Sequence, residues 1–342
     1  MKAAFYNGER QISLGDCIPN PPKQGEVQIK ISHCGLCGTD LHIYHGVMDR
    51  RVKMPQIMGH EMSGTIAALG LGVEGYQIGD RVTVMPLDPC GSCPACLAGH
   101  SHICHNLKFL GIDTPGALQS LWTVPAHTLH RLPDTLSLAH GALIEPLAVA
   151  CHDVRLGEVQ PDDYVAVLGG GPIGMLVALV ARQAGARVVL SEINPYRIEL
   201  AQSLGFTAVN PQETDLTTYI NDHTSGAGAD VVFEVTGSAA GAKMMTSLAR
   251  TRGRIVVVAI FGKMPEVDLQ CVFWRELKLR GVRVYESQDF EQAIALAAAG
   301  KLPLERLVTD VRPLDRLKTG FEDMEAGGSV MKILIEVGDG NT

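Results

Sequence analysis

The stretch YVAVLGGGPIG, residues 164–174, limits the fold of this chain more than any other segment. A nearly continuous apolar run ends in glycines and gives way to a helical stretch over about 172–185. The pattern then recurs. ARVVLSE (186–192) is followed by a helical stretch near 196–204, ADVVFEVTG (229–237) by another near 240–249, and GRIVVVAI (253–260) closes the series. A strand with one wet face would alternate polar and apolar residues, so unbroken Val, Ile and Leu runs between helices mean parallel strands covered on both faces. A doubly wound βαβ domain with a parallel sheet is expected here.

Gly169, Gly171 and Gly174 form G-x-G-x-x-G directly after the first run and at the opening of the first helix, as a dinucleotide fingerprint requires. Gly169 serves the sharp turn, Gly171 the close approach of a pyrophosphate, and Gly174 tight helix–strand contact. Pro172 and Ile173 complete the loop, whose free N–H groups at the helix start would take the phosphates. At the end of the second run stands Glu192. A carboxylate there accepts hydrogen bonds from the ribose hydroxyls of NAD and repels the 2′-phosphate of NADP. Arg197 joins the cofactor-binding candidates, although it and Ser191 are neighbours that also occur in NADP sites. NAD is the expected cofactor.

The first 145 residues or so read differently. EVQIKIS (26–32) and DRVTVMP (80–86) alternate apolar and polar, and SGTIAALG (63–70) does so less clearly, which marks half-buried antiparallel strands. Beyond Val284 come a helical stretch around 290–299 and a final strand, VMKILIEV (330–337). That tail is too short to bury a core alone and must pack on something already present.

Two domains are expected for 342 residues. The net charge of −8 argues against nucleic acid, whose binding rests on Lys and Arg neutralising phosphates. The start, MKAAFYNGERQISLGD, has no apolar core of signal-peptide length. The greasiest region, Val165 to Leu190, is broken by GGGP, Arg182, Gln183 and Arg187, which excludes a transmembrane span. Nine cysteines without a secretory signal mean thiols and metal ligands in a reducing compartment, the cytoplasm. Cys17, Cys34, Cys151 and Cys271 stand apart and read as small buried apolar residues.

The remaining cysteines divide by chemistry. Cys90, Cys93, Cys96 and Cys104 supply four thiolates within fifteen residues, enough to close a tetrahedral zinc shell with no open position. Such a shell acts as a clamp, because metal-binding energy becomes folding energy. Cys-x2-Cys-x2-Cys also surrounds iron–sulfur clusters, but there it usually continues as Cys-x3-Cys-Pro rather than over seven intervening residues. His100, His102 and His105 are rival ligands, read as solvated loop residues. Upstream, CGLCGTDLHIYHG (34–46) and GHEMSG (59–64) supply Cys37, His60 and Glu61, and Glu145 follows in ALIEPLAVACH (142–152). A thiolate, an imidazole and a carboxylate make a mixed shell with room for substrate, the pattern of catalytic zinc. Spacing alone does not join Cys37, His60 and Glu145.

GxCGTDxHxxxG, then GHExxG, then the four-cysteine loop, then IEP, then GxGxxG, in this order over essentially the whole chain, resemble the zinc-dependent medium-chain dehydrogenase/reductase family. CGTDLHIY, the glutamate of IEP and NPYRIELAQSLG (194–205) are most similar to its polyol (sorbitol-type) and threonine dehydrogenase branch. The resemblance implies an α/β protein with a GroES-like, mostly-β catalytic domain over 1–147, a Rossmann NAD domain over 148–284, and a return over 285–342 that completes the catalytic domain. It implies two zinc ions per chain. The catalytic zinc would sit on Cys37 and His60, with Glu61 as third ligand and Glu145 binding directly or through a water; Cys90, Cys93, Cys96 and Cys104 match the structural zinc loop. Thr39 matches a hydroxyl relay position, and His42 the histidine that passes the proton to solvent. The assembly implied is a homo-oligomer, a tetramer rather than a dimer.

Two rivals remain, a zinc-free quinone-type reductase, which would lack this ligand set, and a zinc-loop binding module, against which the acidic balance and the nucleotide loop speak. Threonine dehydrogenases of this branch usually have Asp-Pro where this chain has Glu145-Pro146, so the substrate expected is a polyol, sugar alcohol or vicinal diol. Tyr44, His45, Phe109, Trp122 and residues 284–289 are the expected specificity positions.

Overall fold

The computed structural model describes residues 1–338. The chain forms two compact units: Met1–Glu145 together with the chain from Glu286 onward, and Pro146–Tyr285.

In the second unit six strands form one sheet, all neighbours parallel. Across the sheet they run Thr207–Val209, Arg187–Ser191, Tyr164–Leu168, Ala229–Glu234, Ala249–Val257 and Lys278–Gly281. Numbered along the chain this is the order 3-2-1-4-5-6, the doubly wound arrangement of dinucleotide-binding sheets. Tyr164–Leu168 is buried at every position, which is why its sequence shows no alternation. The helix Pro172–Gln183 follows, with Pro172 in its first turn, where a missing N–H costs nothing. It is buried without a break from Gly174 to Ala181.

Two glycines make this junction possible. Gly169 has φ +99°, a conformation that side-chain-bearing residues rarely adopt. A Cβ on Gly174 would lie 1.8 Å from the Gly169 carbonyl oxygen, so helix and strand meet at a distance only glycine permits.

In the first unit the largest sheet has seven strands. Glu26–Gly35 pairs antiparallel with Glu61–Leu69, with Leu121–Pro125 and with Lys332–Glu336. The C-terminal segment thus enters the sheet between two strands: Leu334 faces Gly35 and Ile335 faces Cys34, while Lys332–Glu336 pairs parallel to Val308–Pro313 on its other side. Residues 330–337 are the tail strand read from sequence, and this pairing supplies the core it lacks. Among the described residues no helix is long and apolar enough to cross a membrane.

The tight contact at Gly174 generates a test. Gly174→Ala should cost about 3 kcal/mol, at the upper end of overpacking penalties, and weaken dinucleotide binding at least about tenfold (about 1.4 kcal/mol), read by thermal unfolding and by titration of each nicotinamide dinucleotide.

Candidate functional site

Strand and helix geometry gathers the mixed donor set. The Glu26–Gly35 strand runs out through Leu36 into Cys37, which caps the helix Gly38–Tyr44. Its N–H donates to Asp40 Oδ2 at 3.1 Å, fixing the turn. The antiparallel neighbour Glu61–Leu69 brings His60 and Glu61 alongside. Cys37 Sγ lies 3.4 Å from His60 Nε2, and donor atoms of Cys37, His60 and Glu61 all lie within 4.8 Å of one another. His60 Nδ1 faces Asp40 Oδ1 at 3.7 Å; both atoms are buried and make no hydrogen bond. The Phe109 ring stands edge-on to His60, with centroids 5.1 Å apart, and forms an apolar wall.

This pocket wants a cation. Burial, then the charges of Asp40 and Glu61, push the Cys37 thiol well above its ordinary range. A divalent ion would offset that penalty and hold the thiolate form. Sulfur, imidazole and carboxylate are the donors of catalytic zinc, which keeps one position open. A carboxylate behind the histidine, here Asp40, is the usual orienting partner of a metal-binding imidazole. Glu145, buried in the first turn of Ile144–Leu156, stands outside the three-residue group, although its charge reaches the Lys332 ammonium. Thr39 is half-buried in the first turn of the Gly38–Tyr44 helix, and His42 is exposed three residues on.

Lys332, which sequence reasoning missed, is 4% exposed. Its ammonium pairs with Glu61 Oε2 and donates to the Leu36 carbonyl at 2.9 Å. Burial alone would lower its pKa, but the charges of Glu61 and Cys37 outweigh that and raise it. Asp40 was missed as well. The available signals were a lone lysine inside the apolar run VMKILIEV and an acid three residues after a candidate ligand.

The Cys90–Cys104 loop is a second donor set. Cys93 Sγ is 3.6 Å from Cys96 Sγ and 3.7 Å from Cys104 Sγ, which is 3.5 Å from Cys90 Sγ. Tetrahedral zinc with Zn–S bonds of about 2.3 Å places its sulfurs about 3.8 Å apart, so the four thiols fit one ion. A disulfide needs about 2.05 Å, and a multi-iron cluster would spread them wider. Backbone N–H groups of Cys90, His105 and Asn106 point at these sulfurs. The Ser92 N–H and hydroxyl, ahead of Cys104, pull the Cys90 thiol down to about 5. His100 and His105 are exposed, and His102 faces Glu286 at 3.7 Å, so none of the three joins the group.

In the nucleotide loop Gly171 caps the helix that Pro172, Ile173 and Gly174 begin. Glu192, 7% exposed, bends back over the loop: Gly170 N–H donates to its Oε2 at 2.8 Å, and Ile193 and Asn194 N–H to its Oε1 at 2.7 and 2.9 Å. Three of its roughly four lone-pair sites are thereby engaged. Arg197 Nη1 lies 3.9 Å from Glu192 Oε2, and its buried Nε makes no hydrogen bond.

Several expected specificity positions are committed elsewhere. Tyr44 is buried and stacks on Phe321, with centroids 4.8 Å apart. Trp122 is buried, with its indole N–H given to the Pro115 carbonyl at 2.7 Å. His45 pairs with Glu325 at 2.9 Å. Only Phe109 of these four is seen against the donor set. Cys34 and Cys151 are buried as expected, but Cys17 and Cys271 are half-buried, each with its thiol turned to a polar partner, Gln119 Oε1 and the Thr246 carbonyl respectively.

A cluster of zinc-type donors in one unit and a glycine loop at a helix start in the other are the equipment of an alcohol dehydrogenase. Comparison with known proteins agrees. Residues 23–134 match the alcohol dehydrogenase GroES-like domain, and residues 172–299 match the zinc-binding dehydrogenase domain. The chain is 51% identical over 336 residues to 2-dehydro-3-deoxy-L-galactonate 5-dehydrogenase of Pseudoalteromonas atlantica, covering 98% of each. It is 34% identical to L-threonine 3-dehydrogenase of Pyrococcus horikoshii, covering 90% of each. Among solved structures, 2R,3R-butanediol dehydrogenase of Bacillus subtilis superposes with a TM-score of 0.90 at 33% identity, over 98% of this chain and 99% of that one. The chain belongs to the zinc-dependent medium-chain dehydrogenase/reductase family of alcohol dehydrogenases. It is an enzyme that oxidises CH–OH groups.

The thiol cluster gives the second test. Cys93→Ser should lose about one zinc per chain by elemental analysis. It should also lose at least about 3 kcal/mol of stability, roughly 6–12 °C in unfolding midpoint, and a strong chelator should shift the wild-type protein the same way.

Proposed function

We propose that the enzyme oxidises a secondary alcohol of a polyhydroxylated substrate to the ketone, with NAD accepting the hydride and two zinc ions held per chain. The observation that carries this is the convergence of Cys37, His60 and Glu61 on one buried point. These three hold the catalytic ion, Glu145 stands ready nearby, and Cys90, Cys93, Cys96 and Cys104 hold the structural one. Zinc in the first site supplies a Lewis acid that makes a hydroxyl proton easy to remove. Asp40 keeps Nε2 of His60 turned to the ion. The Thr39 hydroxyl takes up the substrate proton as it gives its own onward, and His42, which is exposed, passes that proton to water. Gly169 to Gly174 hold the pyrophosphate of NAD, with Glu192 and Arg197 at its adenosine ribose.

The 51% relative directs the choice of substrate. We propose a sugar acid of the 2-keto-3-deoxy class, oxidised at a secondary hydroxyl, ahead of simple sugar alcohols and diols; the threonine dehydrogenase relatives keep L-threonine as the second reading. Nine thiols without a disulfide fit a reducing compartment, and we place the enzyme in the cytoplasm. Self-association, with a tetramer as the proposed state, is supported by the fully exposed edge strand Lys278–Gly281 and by exposed Ile260, Met264, Phe273 and Trp274.

NADH formation across 2-keto-3-deoxy sugar acids, sugar alcohols, vicinal diols and L-threonine tests the reading. Turnover of at least one hydroxylated substrate is expected, and His60→Ala should lower it at least about a thousandfold while removing about one zinc and sparing NAD affinity. Wild-type turnover in that variant would end the proposal. The charge of Glu192 gives a separate test: Glu192→Gln keeps an acceptor for the Ile193 and Asn194 amides but should raise kcat/KM for NADP relative to NAD at least about tenfold, equivalent to about 1.4 kcal/mol.

A further inference from the structure

Among the described residues Lys332 is the buried cation in contact with the Cys37, His60 and Glu61 cluster, and the reaction as described gives it no task. It projects from the first position of the Lys332–Glu336 strand, which pairs with the strand that delivers Cys37. Leu36 is fixed to that segment on both polar groups, its N–H donating to the Ile333 carbonyl at 3.0 Å and its carbonyl accepting from Lys332 Nζ at 2.9 Å. The ammonium also holds Glu61 Oε2. Gly35 makes the room: a Cβ there would stand 2.2 Å from Glu61 Oε2 and 3.3 Å from Lys332 Cε.

The charges show what this achieves. Cys37, Glu61, Asp40 and Glu145 are four acidic groups around one site, and Asp40, Glu61 and Glu145 are each 5% exposed or less. A buried carboxylate without a partner is strongly disfavoured, and with a divalent ion at hand it would offer both oxygens. That would saturate the ion and close the position a substrate hydroxyl needs. An ammonium on Oε2 leaves Glu61 one oxygen to give.

We propose that Lys332 is a positioning residue that holds Glu61 to a single-oxygen contact and so keeps the metal site open. This rests on the reading of Cys37, His60 and Glu61 as metal ligands. Lys332 acts as the counter-ion of Glu61, in competition with the metal for its charge. Removing it frees the second oxygen and the negative charge for the metal, so binding tightens while turnover falls.

The test uses the full-length protein with Lys332→Gln, which keeps a donor for the Leu36 carbonyl, and Lys332→Met, which keeps the stem. Each is also combined with Glu61→Gln. Cobalt is exchanged into the protein, and the visible bands of this site are those that His60→Ala removes. Metal affinity is read by competition with a chromophoric chelator. Expected are binding at least about tenfold tighter than wild type, within the range that outer-shell partners control, a shift of the cobalt bands toward higher coordination, and a lower kcat. All three changes should largely vanish in the Glu61→Gln background.

Affinity within twofold of wild type with unchanged cobalt bands overturns the proposal, and so do equal effects with and without Glu61. Loss of folding in both Lys332 variants, with zinc present, overturns it in favour of a purely structural anchor. A wild-type chain with no band that His60→Ala removes overturns the metal-site reading along with it, which separates the two failures.

Discussion

The antiparallel pairing of Lys332–Glu336 with Glu26–Gly35 is the contact on which the catalytic unit depends. It joins residues 296 positions apart in sequence at the Lys332–Leu36 bond. Glu26–Gly35 runs out to Cys37, and its neighbour on the other side, Glu61–Leu69, brings His60 and Glu61. Without the tail strand, the His33–Gly35 end of Glu26–Gly35 would lose its partner on one side, and the Glu61 carboxylate would lose its cation. Backbone pairing and buried charge therefore reinforce each other at a single place.

That place also shows how electrostatics and packing divide the work. Apolar walls such as Phe109 exclude water and raise the strength of every charge inside. The same exclusion makes an isolated thiolate or carboxylate costly, so each acid needs a partner: Asp40 bonds the Cys37 amide and Glu61 meets Lys332. The pocket gathers donors suited to a cation and already keeps one of its own, the Lys332 ammonium. In the nucleotide unit the balance is struck with dipoles instead, since Glu192 is held by three backbone N–H groups and reaches the one nearby guanidinium only at 3.9 Å.

Much of this was legible in the sequence. The buried strands of the parallel sheet appear as apolar runs, and the glycine loop sits where its context demanded. Boundaries were less readable. ADVVFEVTG stops as a strand at Glu234, because that carboxylate folds back to accept from the Thr236 and Gly237 amides. KLRG (278–281) carries no strand signal, being exposed at all four positions, and is a strand only because Ala249–Val257 offers it an edge. At the site, motifs named Cys37, His60 and Glu61, whose donor atoms the fold brings together, while Lys332 and Asp40 touch neighbours that only folding supplies. Tyr44 and Trp122 looked available for substrate because their packing partners, Phe321 and Pro115, are not visible in local sequence.

The late position of Lys332 also bears on the order of events during synthesis. The ribosome must pass the whole nucleotide-binding unit before it reaches the strand that completes the metal pocket. The parallel sheet is free to fold while the other unit still lacks its last strands. An emerging polypeptide would therefore hold a complete nucleotide-binding sheet before the strand that carries Lys332 can pair beside Cys37 and meet Glu61.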